Sequence, residues 1–178
     1  MSRRAYSLAP AVIIGLLLMV VTYVAFKSWR NLSQEGREVV LHRRQSQVLL
    51  ADLGNQLVGG SHCYYGYKGK FGERDYQVGG LGARGSQALV AVPEPDGQYT
   101  IIGVQTQDNQ VVVARTEGVE AQDPAAIDLA ALKAKEKTYQ TGSIDLQVRS
   151  LGRGEALLLE IPDPRETLKA LIWLRNVQ

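Results

Sequence analysis

Cysteine occurs once in this sequence, at Cys63, and histidine only twice, at His42 and His62. A single cysteine excludes any intrachain disulfide. The two histidines have no Cys, Asp or Glu at metal-ligand spacing, so no metal site is expected. An excess of one charge is missing as well: Lys and Arg number 20 against 18 Asp and Glu, interspersed, for a net charge of +2. That balance supplies no broad basic field, and a nucleic-acid partner is not expected. No Ser, His and acid arrangement and no paired-carboxylate signature stands out. The expectations are accordingly no catalytic residue, no cofactor and no enzyme activity.

Charge is absent altogether from residues 5–26, AYSLAPAVIIGLLLMVVTYVAF, which Arg3 and Arg4 precede and Lys27 and Arg30 follow. About 20 apolar residues at 1.5 Å each cover a hydrocarbon core of ~30 Å, so the run predicts one membrane-spanning helix over 6–26. It is longer than the core of a cleaved signal, and Tyr23 stands where a cleavage site needs a small residue. Pro10 falls near the helix start, where the amides have no intrahelical partner. Ala11 and Gly15 offer a small-xxx-small surface for close helix approach. The expected localisation is therefore membrane, single-pass. Flanking charge divides on orientation: Lys27, Arg30, Arg37, Arg43 and Arg44 outnumber Arg3 and Arg4, but the latter abut the span and long domains translocate largely regardless of charge. The reading adopted puts the N-terminus in the cytoplasm and the domain outside it.

Proline is also missing from residues 27–58, where an amphipathic helical extension is expected. Leu49, Leu53 and Leu57 recur every four residues, with Val39 near the same stripe. This stripe has two uses, packing on the chain's own sheet or association with a second helix, and Ala11, Gly15, Val39, Leu49, Leu53 and Leu57 form the candidate association set. Gly59 and Gly60 stop the helix. Residues 59–178 then read as a β-rich globular domain, large enough for one core. Strands are expected at 61–68, 75–78, 87–92, 99–105, 110–115, 144–150 and 156–161, mostly antiparallel, with 99–105 and 110–115 forming a hairpin across Asp108 and Asn109. Two short helices are expected after Asp123 and Asp163, each an N-cap followed by Pro at the first helical position. The fold class is thus α+β: a transmembrane helix continuing into an amphipathic one, then an antiparallel head with two short helices.

Gly80-Leu81-Gly82-Ala83-Arg84-Gly85 matches the spacing of a dinucleotide fingerprint, but the strand pattern after it leaves no helix to face a pyrophosphate, and the segment reads as an interstrand loop. Tyr64, Tyr65, Tyr67, Phe71 and Tyr76, interleaved with Lys68, Lys70 and Arg74, form the candidate surface contact, with ordinary strand patterning as the alternative.

The short basic leader ending Arg3-Arg4-Ala5, the uncharged helix from Tyr6, its amphipathic continuation and a β-rich head together resemble type IV pilin-like proteins. The resemblance covers residues 1–57 by pattern and implies leader cleavage after Ala5 and bundling of the apolar helices into a filament with heads outward. No acidic residue stands early in the apolar run and no disulfide closes a loop in the head, departures from a major pilin that leave a minor pilin-like protein or an unrelated anchored protein. The function expected is a membrane-anchored structural or assembly protein, with lipid and other transmembrane helices as partners. The alternative is an accessory bitopic subunit of a larger membrane complex, without catalytic activity of its own.

Overall fold

A computed structural model describes residues 5–151, 154–162 and 166–174; the side chains of residues 5–12, 15, 151 and 154 lie outside that description. Residues 1–4 of the expected leader, which ends at Ala5, and the cap expected at Asp163 and Pro164 fall outside it. The chain divides into two compact units, Met1–Leu41 and His42–Gln178.

Helix α1 (Ala5–Leu57) accounts for all the described residues of the first unit and opens the second. It passes Gly36 and Gly54 unbroken and ends where Gly59 takes φ 85° and the Gly60 amide bonds the Leu57 carbonyl at 3.0 Å. The expectation of a membrane-spanning helix is corrected: among the described residues no helix is long and apolar enough to cross a membrane. The transmembrane and single-pass descriptions, the membrane localisation and the assignment of the domain to one side of a membrane lose their basis with it.

Among the described residues the second unit has eleven strands: β1 (His62–Cys63), β2 (Lys68–Phe71), β3 (Arg74–Gln77), β4 (Arg84–Gly85), β5 (Gln87–Pro93), β6 (Tyr99–Gln107), β7 (Gln110–Val119), β8 (Lys135–Tyr139), β9 (Asp145–Leu151), β10 (Gly154–Ile161) and β11 (Leu168–Leu174). They form a five-stranded sheet ordered β1-β5-β6-β7-β8, a four-stranded sheet ordered β11-β10-β9-β4 and the hairpin β2-β3, and every pairing is antiparallel. The hairpin between β6 and β7 turns on Asp108 and Asn109, both at positive φ (50° and 59°), which matches the right-handed twist of the strands they join.

The five-stranded sheet is covered on both faces, which explains its nearly continuous apolar strands. One face presents Ala88, Val90, Ile102, Val104, Val111 and Val113 to the four-stranded sheet, through Leu157, Leu159, Ile161 and Ile172, and to Leu49, Leu53 and Leu57 of α1. The other presents Leu89, Ala91, Ile101 and Ala114 to Phe71, Tyr76 and Leu129.

Both expected short helices are corrected. Asp123 does cap, accepting from the Ala125 amide at 2.9 Å, but Pro124–Ala126 is a single 3-10 turn. Asp128 caps a second such turn, Leu129–Ala131, and Leu132 is extended. Helix propensity yields here to packing: Leu129 is buried against the aromatic cluster and Lys135–Tyr139 pairs with β7. Residues 168–174 pair with β10 instead of coiling. Their apolar pattern has period two, with Ile172 and Leu174 buried while Lys169, Leu171 and Trp173 face out.

Candidate functional site

The association set separates into three groups. Leu49, Leu53 and Leu57 are fully buried in the core of the second unit, so the stripe packs on the chain's own sheets and is closed to a second helix. Each such burial contributes about 1.5–3 kcal/mol. Val39 is half-buried on the first unit. The side chains of Ala11 and Gly15 lie outside the described residues.

Exposure on α1 concentrates on positions that the stripe does not use. From Ile13 to Phe26 the described large apolar side chains are 56–73% exposed, and Trp29 and Leu32 continue the series. They occupy consecutive positions and therefore every side of the helix. Thr22, the polar exception along with Tyr23, turns its hydroxyl inward and donates to the Leu18 carbonyl at 2.6 Å. Monomeric proteins rarely leave so continuous an apolar surface uncovered.

The tyrosine-rich segment is mostly interior. Tyr64, Phe71 and Tyr76 are buried, and the candidate contact surface at these three positions is corrected accordingly. The segment doubles back as the β2-β3 hairpin, folding Phe71 and Tyr76 edge to face, with ring centroids 5.9 Å apart, against the five-stranded sheet. Tyr64 donates to the Pro124 carbonyl at 2.7 Å and Tyr67 to the Lys70 carbonyl at 2.7 Å. Tyr65 takes the other side, donating to the Glu155 carboxylate beside Cys63. Burial, then the charge of Glu155, pushes the Cys63 thiol up to about 12, only partly offset by its contact with Tyr65. Burial likewise raises Tyr64, Tyr65 and Tyr76 well above the ordinary phenol range. These phenols stay neutral and serve as packing groups; Tyr64 and Tyr65 also hydrogen-bond through their hydroxyls, whereas the buried Tyr76 hydroxyl has no hydrogen-bond partner among the described residues.

The glycine-rich segment is an interstrand loop. Gly82 sits at φ 80°, its amide bonds the Val148 carbonyl at 3.0 Å, and β4 and β5 follow where a phosphate site needs a helix. Beneath it lies a cavity of about 20 Å³, lined by Cys63, Tyr65, Gly80, Ala83 and Leu146, with room for one water-sized guest.

Two polar constellations had no counterpart among the expectations. Asp52, on the last turns of α1, accepts from Gln56 at 2.8 Å, from Lys137 at 2.9 Å and from the Tyr139 hydroxyl. Lys137 also lies 4.8 Å over the Tyr139 ring. Burial raises the Asp52 pKa, but the hydrogen bonds from Tyr139, Lys137 and Gln56 outweigh it and hold the carboxyl at about 2. Elsewhere, Arg74 makes a two-pronged bridge to Glu136, 2.8 Å at each contact, and also donates to Gln107. Local spacing announces only the Asp52–Gln56 contact, four residues apart; Arg74 reaches Gln107 across 33 residues and Glu136 across 62, and Asp52 reaches Lys137 and Tyr139 across 85 and 87. A legible hint was the charged run Lys135-Glu136-Lys137 followed by the β-favouring pair Thr138-Tyr139, which suits an exposed edge strand. Among the described residues no group of three His, Cys, Asp or Glu side chains is placed to hold a metal ion.

Comparison with protein families, characterised proteins and solved structures finds no match. The functional reading therefore rests on the geometry of this chain.

Proposed function

We propose that this protein is an assembly component whose N-terminal helix associates with the same helix of other copies. The observation that carries the reading is the apolar surface of α1 from Ile13 to Phe26, exposed on all sides of the helix. A single partner helix covers one side only, so apolarity all round calls for a bundle in which each helix has several neighbours. Helix bundling of that kind is what the resemblance to pilin-like proteins implies. The buried stripe Leu49, Leu53 and Leu57 has a different part in this reading: it fixes the end of the same helix to the β-rich unit.

Trp29, 66% exposed and next to the apolar surface, is the natural reporter. In the full chain carrying Trp173→Phe, Trp29 emission should move to shorter wavelength and become shielded from acrylamide as protein concentration rises. Val21→Glu should raise the concentration needed at least tenfold, whereas Val21→Leu should not. A full-length chain that sediments as a monomer at every concentration, with Trp29 freely quenched, would overturn the proposal.

A further inference from the structure

Apart from the apolar helix, the second unit carries an open polar groove of about 520 Å³ between the β2-β3 hairpin, β6 and β8, lined chiefly by Glu73, Arg74, Asp75, Gln105, Gln107 and Glu136. Its charge is lopsided, with three carboxylates and one guanidinium. The guanidinium is engaged with both Glu136 oxygens and with Gln107. The Glu73 and Asp75 carboxylates make no hydrogen bond or ion pair among the described residues. The remaining wall group is the most informative. Gln105 is 5% exposed, lines the groove, and its Oε1 has no hydrogen-bond partner among the described residues. Buried acceptors are paired in the great majority of cases, so this one marks a point where a donor is received.

We propose that the groove binds a cation bearing primary ammonium groups. What it presents is chiefly acceptors: the Glu73 and Asp75 carboxylates, of which Glu73 also interacts with the Arg74 charge, and, buried in the wall, the Gln105 amide oxygen. An ammonium head matches three acceptors approached from different directions, because its N–H donors diverge, whereas a guanidinium needs a planar pair of oxygens, and Arg74 already occupies the one on Glu136. A metal ion is a poorer guest, since no group of three ligating side chains among the described residues is placed to hold one. The same chemistry has two sources, a free aliphatic diamine or polyamine and the lysine side chain of another polypeptide.

The test is calorimetric titration of the full chain at constant ionic strength with 1,4-diaminobutane, spermidine, acetyl-lysine methylamide and, as the non-cationic control, butanol. Saturable one-to-one binding with Kd below about 1 mM is expected for at least one ammonium probe. Tighter binding of the diamine assigns the site to a free amine, and tighter binding of the lysine derivative assigns it to a polypeptide; both support the proposal. Glu73→Gln combined with Asp75→Asn, two exposed positions that do not endanger the fold, should weaken binding at least tenfold. Gln105→Leu should weaken it about tenfold with an unchanged circular dichroism spectrum. Unsaturable heats, displacement by equimolar magnesium, or unaltered affinity in the Glu73 and Asp75 double variant would overturn the assignment.

Discussion

Gly103 lies in the middle of β6, opposite the aromatic pair. A Cβ built there would meet Tyr76 Oη at 2.6 Å and Phe71 Cδ1 at 2.9 Å, so the close seating of the β2-β3 hairpin depends on a missing methyl group. Gly103→Ala should destabilise the protein by about 1–3 kcal/mol, read as a lower midpoint of urea unfolding with an unchanged slope. A neutral effect would mean that the hairpin yields freely. Cys63 is governed by burial in a different way. With its pKa pushed up to about 12 and its side chain 4% exposed, the thiol is neither ionised nor reachable at neutral pH. A disulfide reagent such as DTNB should therefore leave the native protein unmodified for hours at pH 8 and titrate one thiol at once in denaturant. Rapid labelling of the folded chain would contradict the burial described.

Among the elements, the end of α1 is held by apolar burial and by the Asp52 cluster on β8. The carboxyl is held at about 2 against an ordinary 3.8, so the folded state binds its proton less readily than the unfolded chain. Its stabilising contribution is accordingly full above pH ~4 and disappears as pH falls through about 2. Asp52→Asn should lower stability by about 1–2 kcal/mol at pH 7, with the gap to wild type closing toward pH 2. A gap that does not change with pH would show packing to be the whole effect. Elements of this kind were unevenly legible in the sequence. The leucine spacing on α1, its glycine stop and the Asp108-Asn109 turn are local signals, and each appears at the expected place. Residues 125–137 misled because Ala and Lys favour helix when nothing else acts, and here β7 and the Phe71 cluster do act. Residues 168–174 were open to either period until β10 supplied a partner. The Asp52 and Arg74 clusters were invisible, because they depend on side chains that only the sheet order brings together.

For the whole molecule, the division of labour is sharp. Among the described residues, every member of both hydrophobic clusters stands at Leu49 or later in the chain. A fragment of residues 42–178 should therefore fold with a melting midpoint within about 3 °C of the full chain and, under the proposed bundling of α1, stay monomeric at concentrations where the full chain would associate. Differential scanning calorimetry with sedimentation velocity would check both halves. Collapse of the fragment would show that the first unit has a part in stability that the cluster composition does not reveal.

The membership of the larger cluster also has a consequence in time. Leu49 is made early, yet among its partners are Ile172 and Leu174 on β11. At a synthesis rate of roughly 5–20 residues per second, the leucines of α1 wait about 6–25 s for the last strand that encloses them. The sheets can begin without them, since β5 to β7 and β9 to β11 each form meanders of neighbouring strands with short loops. During that interval a nascent chain presents two apolar helix surfaces in succession, one awaiting its own strands and one that, in the proposed bundling, awaits other copies. If α1 bundles as proposed, the order in which they are satisfied sets whether newly made copies assemble as finished units or tangle before their cores have closed.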